Sequence, residues 1–156
     1  MRVRVIAVGT RMSAWVEAAF NDYARRLRGA DAIELVEVPV VRRNGQGDAK
    51  RAVKLEAERI LSLLEPRDYA VALDERGRSL TTVQLSAWLA ERRTQGNRVC
   101  FIIGGPDGLD ASIGARAQLC WSLSALTFPH ALVRVLLAEQ LYRASTVLAG
   151  HPYHRA

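Results

Sequence analysis

The sequence predicts an α/β domain with a mainly parallel sheet flanked by helices on both faces, and three observations carry that prediction. Short runs rich in β-branched residues alternate with longer segments of helical periodicity. Each run is followed by a turn-forming residue: Gly9, Pro39, Asp74 or Gly104. At 156 residues, 49% of them hydrophobic, the chain fills one ordinary core and not two, so residues 1–156 read as one domain without repeat or linker.

Val3 to Val8 is the first strand, and Trp15, Ala19, Phe20, Tyr23 and Leu27 then recur at helical spacing, with Arg25, Arg26 and Arg28 near the C-terminal dipole. Ile33 to Val38 is a second strand. After it, Arg42-Arg43-Asn44-Gly45-Gln46-Gly47 forms a flexible basic loop, and Asp48 caps a helix presenting Val53, Ala57, Ile60, Leu61 and Leu64. Tyr69 to Leu73 is a third strand, Asp74 to Arg78 a turn, and Thr81 or Thr82 caps a helix that buries Leu85, Trp88 and Leu89. Arg98 to Ile103 is the fourth strand and opens into Gly104-Gly105-Pro106-Asp107-Gly108. Ser122 to Phe128 leads to a last helix starting near Pro129, apolar almost all round through Leu132, Val133, Val135, Leu136, Leu137, Leu141 and Tyr142. Such a helix lies either partly in a homodimer interface or at the centre of a monomer's core, and Glu139 and Arg143 are spaced to pair at i,i+4.

The charge balance is 22 Lys+Arg against 16 Asp+Glu, net +6, with pI near 10.0. That favours phosphate-rich partners without requiring them. Cys100 and Cys120 stand in apolar runs with no C-x-x-C spacing, which reads as reduced thiols and excludes a zinc framework. No apolar stretch approaches membrane-spanning length, and Met1 to Ile6 reads as a strand rather than a signal peptide. The expectation is a soluble cytoplasmic protein with no membrane partner and no metal.

Gly104 and Gly105 follow a buried strand at the end where open sheets bind ligands. The segment is neither G-x-G-x-x-G nor a P-loop, so it reads equally as a ligand site or a tight structural turn. Leu73 and Asp74 form a second candidate wall, or simply a core Leu and a turn-forming Asp. Leu123-Ser124-Ala125-Leu126-Thr127-Phe128 forms a third, mixing apolar side chains with small residues that leave backbone groups accessible; it suits an adenine ring or a plain connecting loop.

The ordered set Val5 to Gly9, Leu73 to Gly77, Phe101 to Gly108, Ser122 to His130, Arg134-Val135, Glu139 to Ala144 and His151 to Arg155 resembles the SPOUT methyltransferases, in particular the bacterial large-subunit (23S) rRNA pseudouridine N3-methyltransferases. Each piece is weak alone; their joint order over essentially the whole chain is specific. Asp107 departs from a common Glu, and Ala131 from a Pro that often follows His130. The resemblance implies a homodimer, a C-terminal trefoil knot, and S-adenosylmethionine bound in the knot against Leu73, Gly104, Leu123, Ser124, Ala125, Leu126, Thr127 and Phe128. It implies as substrate a pseudouridine of large-subunit rRNA on the assembled ribosome. Its nearest rivals are a SPOUT enzyme acting on tRNA and a non-catalytic ribosome-associated RNA-binding protein.

For that chemistry His130 is the candidate proton acceptor, its alternative being a histidine that only hydrogen-bonds backbone. Arg134, one turn on, stabilises a developing imide anion, binds phosphate, or makes a structural salt bridge. In the tail, Tyr153 suits base stacking, while His154 and Arg155 suit phosphate or a base edge; the resemblance puts this tail near the partner subunit's active site. Arg42, Arg43, Lys50, Arg51 and Lys54 form a second basic cluster, either a grip on RNA or a solvated face.

Overall fold

The computed structural model describes residues 2–45 and 47–155; Met1 and Gln46, which the readings of the first strand and the basic loop include, lie outside them. Five strands, β1 (Val3–Val8), β2 (Ile33–Val38), β3 (Tyr69–Ser79), β4 (Val99–Ile103) and β5 (Leu119–Ser122), form one sheet in the order β2-β1-β4-β3-β5, parallel throughout. Five helices cover it: α1 (Ala14–Ala24), α2 (Asp48–Ser62), α3 (Thr82–Gln95), α4 (Ala111–Arg116) and α5 (His130–Ala149).

Strand pleating divides the core in two. Val3, Val5, Ala7, Val99, Phe101 and Ile103 point to the face covered by Leu85 and Leu89 of α3 and Leu137, Leu141 and Ala144 of α5. Ile6, Val8, Cys100 and Ile102 point to the face covered by Ala57 and Ile60 of α2 and Ile113 of α4. Because both faces are dry, the strands read as continuous apolar runs rather than alternating ones.

Several boundaries differ from the sequence reading for identifiable reasons. The segment Asp74 to Arg78 is not a turn: β3 runs through it to Ser79, with an irregularity between Leu73 and Arg78, after which Arg78 pairs with Trp121. Gly77 makes this possible, since a Cβ there would stand 2.7 Å from the Cys120 carbonyl group. Strand β5 and helix α4, at four and six residues, are too short to show a period in the sequence. Trp15 is 60% exposed, and Val16 and Phe20 take the buried face of α1 instead. Helix α1 ends at Ala24 with Arg25 as its C-cap, near the C-terminal dipole as expected, so Leu27 packs into the core from beyond the helix. Gly47 at φ 85° is the N-cap of α2, while the Asp48 carboxylate turns back to accept the Asn44 N–H at 2.9 Å. Arg98 precedes β4 and grips the buried Asp68 carboxylate at 2.9 and 2.6 Å.

Between Thr81 and Thr82, Thr81 is the cap. Its Oγ1 accepts the Gln84 N–H at 3.1 Å and the Gln84 side chain accepts the Thr81 N–H at 2.9 Å, a reciprocal box of the kind that stabilises a helix by about 1 kcal/mol. Pro129 immediately precedes α5, whose Glu139 and Arg143 pair at 2.8 Å as their spacing predicts. One side of α5 is buried on the sheet, whereas Leu132, Val133, Val135 and Leu136 are half-buried. No helix among the described residues is long and apolar enough to cross a membrane.

Candidate active site

A cavity of about 630 Å³ opens at the carboxyl ends of β4 and β5 and beside the irregular stretch of β3, the edge of an open parallel sheet where ligands bind. Three segments converge on it. Leu73 to Arg76 form one wall, Ile103 to Leu109 a second, and Leu123, Ser124, Leu126, Thr127 and Phe128 a third, with Trp121, Pro129, His130 and Val133 completing the lining. Of the sequence-predicted contacts, only Ala125 is absent from the lining; it is exposed.

The glycine turn is tight and lines the cavity. A Cβ on Gly104 would stand 2.8 Å from the backbone carbon and oxygen of Gly108, and one on Gly105 would stand 2.9 Å from Val8 Cγ1. The chain folds onto itself here and is tied by the Gly108 N–H to the Gly105 carbonyl at 3.1 Å. A side chain at either position would run into protein, which is why the turn needs both glycines.

The third wall holds its shape through short-range hydrogen bonds. Ser122 Oγ donates to the Ser124 carbonyl at 2.8 Å, and Ser124 Oγ accepts the Leu126 N–H at 3.0 Å. Thr127 Oγ1 donates to Glu75 Oε2 at 2.7 Å and thereby joins two walls. The Asp74 carboxyl is held below its usual range, first by the Arg76 N–H at 2.9 Å and then by the Arg76 guanidinium, so it stands as an anion at the cavity. Glu75, Arg76 and Trp121 were not anticipated as wall residues. An ordinary extended run and an ordinary aromatic carry no local mark of facing a cavity.

His130 begins α5 at the rim, with Nε2 3.9 Å from the position a Cβ on Gly9 would take. Burial, and then the positive charge of Arg134, hold its pKa below the usual 6.5, which favours the neutral imidazole. Arg134 itself does not reach the cavity. It is 2% exposed and donates to Glu37 at 2.6 Å and to the Gly9 carbonyl at 2.8 Å. Of its expected roles, the geometry matches the structural salt bridge.

The tail also lies elsewhere. Tyr153 packs edge-on against Tyr142 at 4.6 Å, lies under the Arg143 guanidinium at 5.0 Å, and donates to Glu139 at 3.2 Å. His154 is half-buried and Arg155 exposed, and none of the three lines the cavity. Among the described residues no group of three or more His, Cys, Asp and Glu side chains is arranged to hold a metal.

The chain matches the family described as "Predicted SPOUT methyltransferase" over residues 1–154. It is 52% identical over 157 residues to a protein of Bordetella pertussis, covering 100% of each, and 49% identical over 155 residues to one of Thioalkalivibrio sulfidiphilus, covering 99% of each. Both relatives are named ribosomal RNA large subunit methyltransferase H. Among solved structures, a probable methyltransferase from Bordetella pertussis Tohama I superposes with a TM-score of 0.59 at 21% identity, over 92% of this chain and 95% of the other. A putative methyltransferase from Legionella pneumophila, solved with its cofactor SAM, superposes at 0.53 and 7% identity, over 92% of this chain and 66% of the other. At those identities the superpositions carry the fold, and the sequence matches carry the family: the chain belongs to the SPOUT methyltransferases.

Proposed function

We propose that this chain transfers a methyl group from S-adenosylmethionine to N3 of a pseudouridine in large-subunit ribosomal RNA on the assembled ribosome, working in the cytoplasm as a homodimer. The observation that carries the reading is full-length identity near one half to relatives named for methylation of that RNA, in a chain whose cavity has the walls such a cofactor needs. The residues present fit it. Leu73, Ile103, Leu109 and Leu123 offer apolar surface to a flat ring, the bare backbone of Gly104 and Gly105 admits close approach, and Asp74 and Glu75 are acceptors for hydroxyl or ammonium groups. When bound, S-adenosylmethionine supplies a methyl carbon made electrophilic by its sulfonium.

What the protein adds is alignment and a proton acceptor. His130 is the residue for the second task, taking the imide proton on its imidazole. Because its pKa lies below the ordinary histidine value, the basic form is favoured at neutral pH and is lost as pH falls through that lowered pKa. His130→Asn is therefore expected to lower kcat by about a hundredfold and to flatten the acidic limb of the pH–rate profile. Methylation unchanged across pH in that variant would leave alignment as the whole of catalysis.

Two features support the dimer. Leu132, Val135 and Leu136 of α5 are half-buried and lie outside both core clusters, an apolar surface that a second copy would cover. The tail is pinned near Glu139, nine residues or about 14 Å along the helix from His130, so a tail that reaches the cavity belongs to the other subunit. The crossing required by a knot has support too: from edge strand β5, residues 123–129 pass the ends of β3 and β4 before α5 docks Arg134 under Gly9 beyond β1.

The test is transfer of labelled methyl to unmodified ribosomes, beside free subunits, naked rRNA and tRNA, with the product nucleoside identified by mass. Label on ribosomal pseudouridine is the expected result. Label on tRNA alone would move the substrate to the nearest rival, and cofactor binding without transfer to any of them would point to the non-catalytic reading.

A further inference from the structure

The basic loop holds a feature that the proposed reaction does not use. Arg42, Lys50, Arg51 and Lys54 are exposed, whereas Arg43 is turned inward. Its Nη1 and Nη2 donate to the two carboxylate oxygens of Glu56 at 2.8 and 3.3 Å. Glu56 is only 2% exposed and also accepts the Val41 N–H at 2.9 Å. Arg43 Nη1 donates in addition to the Val41 carbonyl at 2.5 Å, and Nε donates to Asp107 Oδ2 at 2.8 Å.

Two consequences follow from this valence count. Each guanidinium nitrogen is engaged, so no fork remains for a phosphate, and Arg43 does not belong with the exposed cations around it. The second concerns the cavity. Asp107 sits in the glycine turn that walls it, and Glu56 Oε1 lies 4.0 Å from where a Cβ on Gly105 would stand. One buried carboxylate therefore backs the turn at Gly105, while the arginine clamped to that carboxylate holds the same turn at Asp107.

We propose that Arg43 is a positioning residue for the cofactor cavity, tying the Gly104–Gly108 turn through Asp107 to the buried Glu56, and that it takes no part in gripping RNA. This rests on the reading of the cavity as the S-adenosylmethionine site. A lysine would not reproduce the tie, because one ammonium cannot present the planar fork that meets Glu56 with two nitrogens and Asp107 with a third.

Equilibrium dialysis of labelled S-adenosylmethionine against wild type, Arg43→Lys, Asp107→Ala and the double variant tests it. Asp107 is 44% exposed at its side chain and its carboxylate accepts only from Arg43 among the described residues, so Asp107→Ala keeps the test readable if Arg43→Lys folds poorly. Each single change is expected to raise the Kd about tenfold, with the double no weaker than either, since all cut one tie. In parallel, Arg42→Gln is expected to reduce the salt slope of ribosome binding by about one while Arg43→Lys leaves it unchanged. Wild-type affinity in both single variants, single effects that add in the double, or a reduced salt slope in Arg43→Lys would each overturn the assignment. A wild-type protein that binds no S-adenosylmethionine would instead remove the reading of the cavity on which the assignment rests.

Discussion

Gly104→Ala is expected to weaken S-adenosylmethionine binding by more than about tenfold while leaving a folded protein. The added methyl would stand 2.8 Å from the Gly108 carbon and oxygen and 3.0 Å from Leu109 Cγ. Two of those three atoms belong to backbone, which cannot swing aside as a side-chain tip does, so the turn has to open into the cavity. Overpacking of this kind costs about 1–3 kcal/mol, visible as a lower Tm. Gly108→Ala is the matched comparison. There φ is +78° and nothing lies within 4 Å of the new methyl, so the change brings backbone strain of about 1 kcal/mol without a clash and has the smaller effect on binding. Equal affinities in wild type and Gly104→Ala would mean that the glycine turn is not a wall of the cofactor site.

The second large effect belongs to Arg134, and it is one of stability. Arg134→Met preserves much of the volume but removes the donors to Glu37 and to the Gly9 carbonyl, which is buried and left without its side-chain partner. Loss of a buried charge-assisted network is expected to cost about 3 kcal/mol, discounted for the partial exposure of Glu37, and for a domain of this size to lower Tm by about 6–12 °C. Ribosome affinity and its salt dependence should be those of wild type at temperatures where both fold. A variant with unchanged Tm and a reduced salt slope would restore Arg134 to the RNA-contacting set. Because Arg134 also lowers the pKa of His130, its removal should move the acidic limb of the pH–rate profile upward, toward the ordinary histidine value.

Arg134 and Arg43 teach the same lesson from opposite ends of the chain. Both stand in segments that read as phosphate-binding, and both are committed to carboxylates that are distant in sequence, Glu37 and Glu56. Charge type and helical face are local properties; the partner that neutralises a charge is not. The tail shows a related effect, for Tyr153 is as suited to stacking on Tyr142 as on a base, and in a single copy it takes the ring that is nearest.

What the sequence determined by itself was the alternation of strand and helix, the parallel sheet, the Glu139–Arg143 pair, and three candidate walls at Leu73, the glycine turn and the Leu123 to Phe128 loop, which the family resemblance joined into one site. Each depends on short-range causes: side-chain branching, residue period, the conformational freedom of glycine, and the rule that open sheets bind ligands at strand ends. Only the tertiary structure decided that β3 continues past Leu73 to pair with the unanticipated β5, that Trp15 faces outward, that Ala125 turns away from the cavity, and which arginines are free. These depend on which segments meet, and a bulge such as that at Gly77 or a buried ion pair such as Arg43–Glu56 exists only once residues far apart in the chain are brought within a few ångströms.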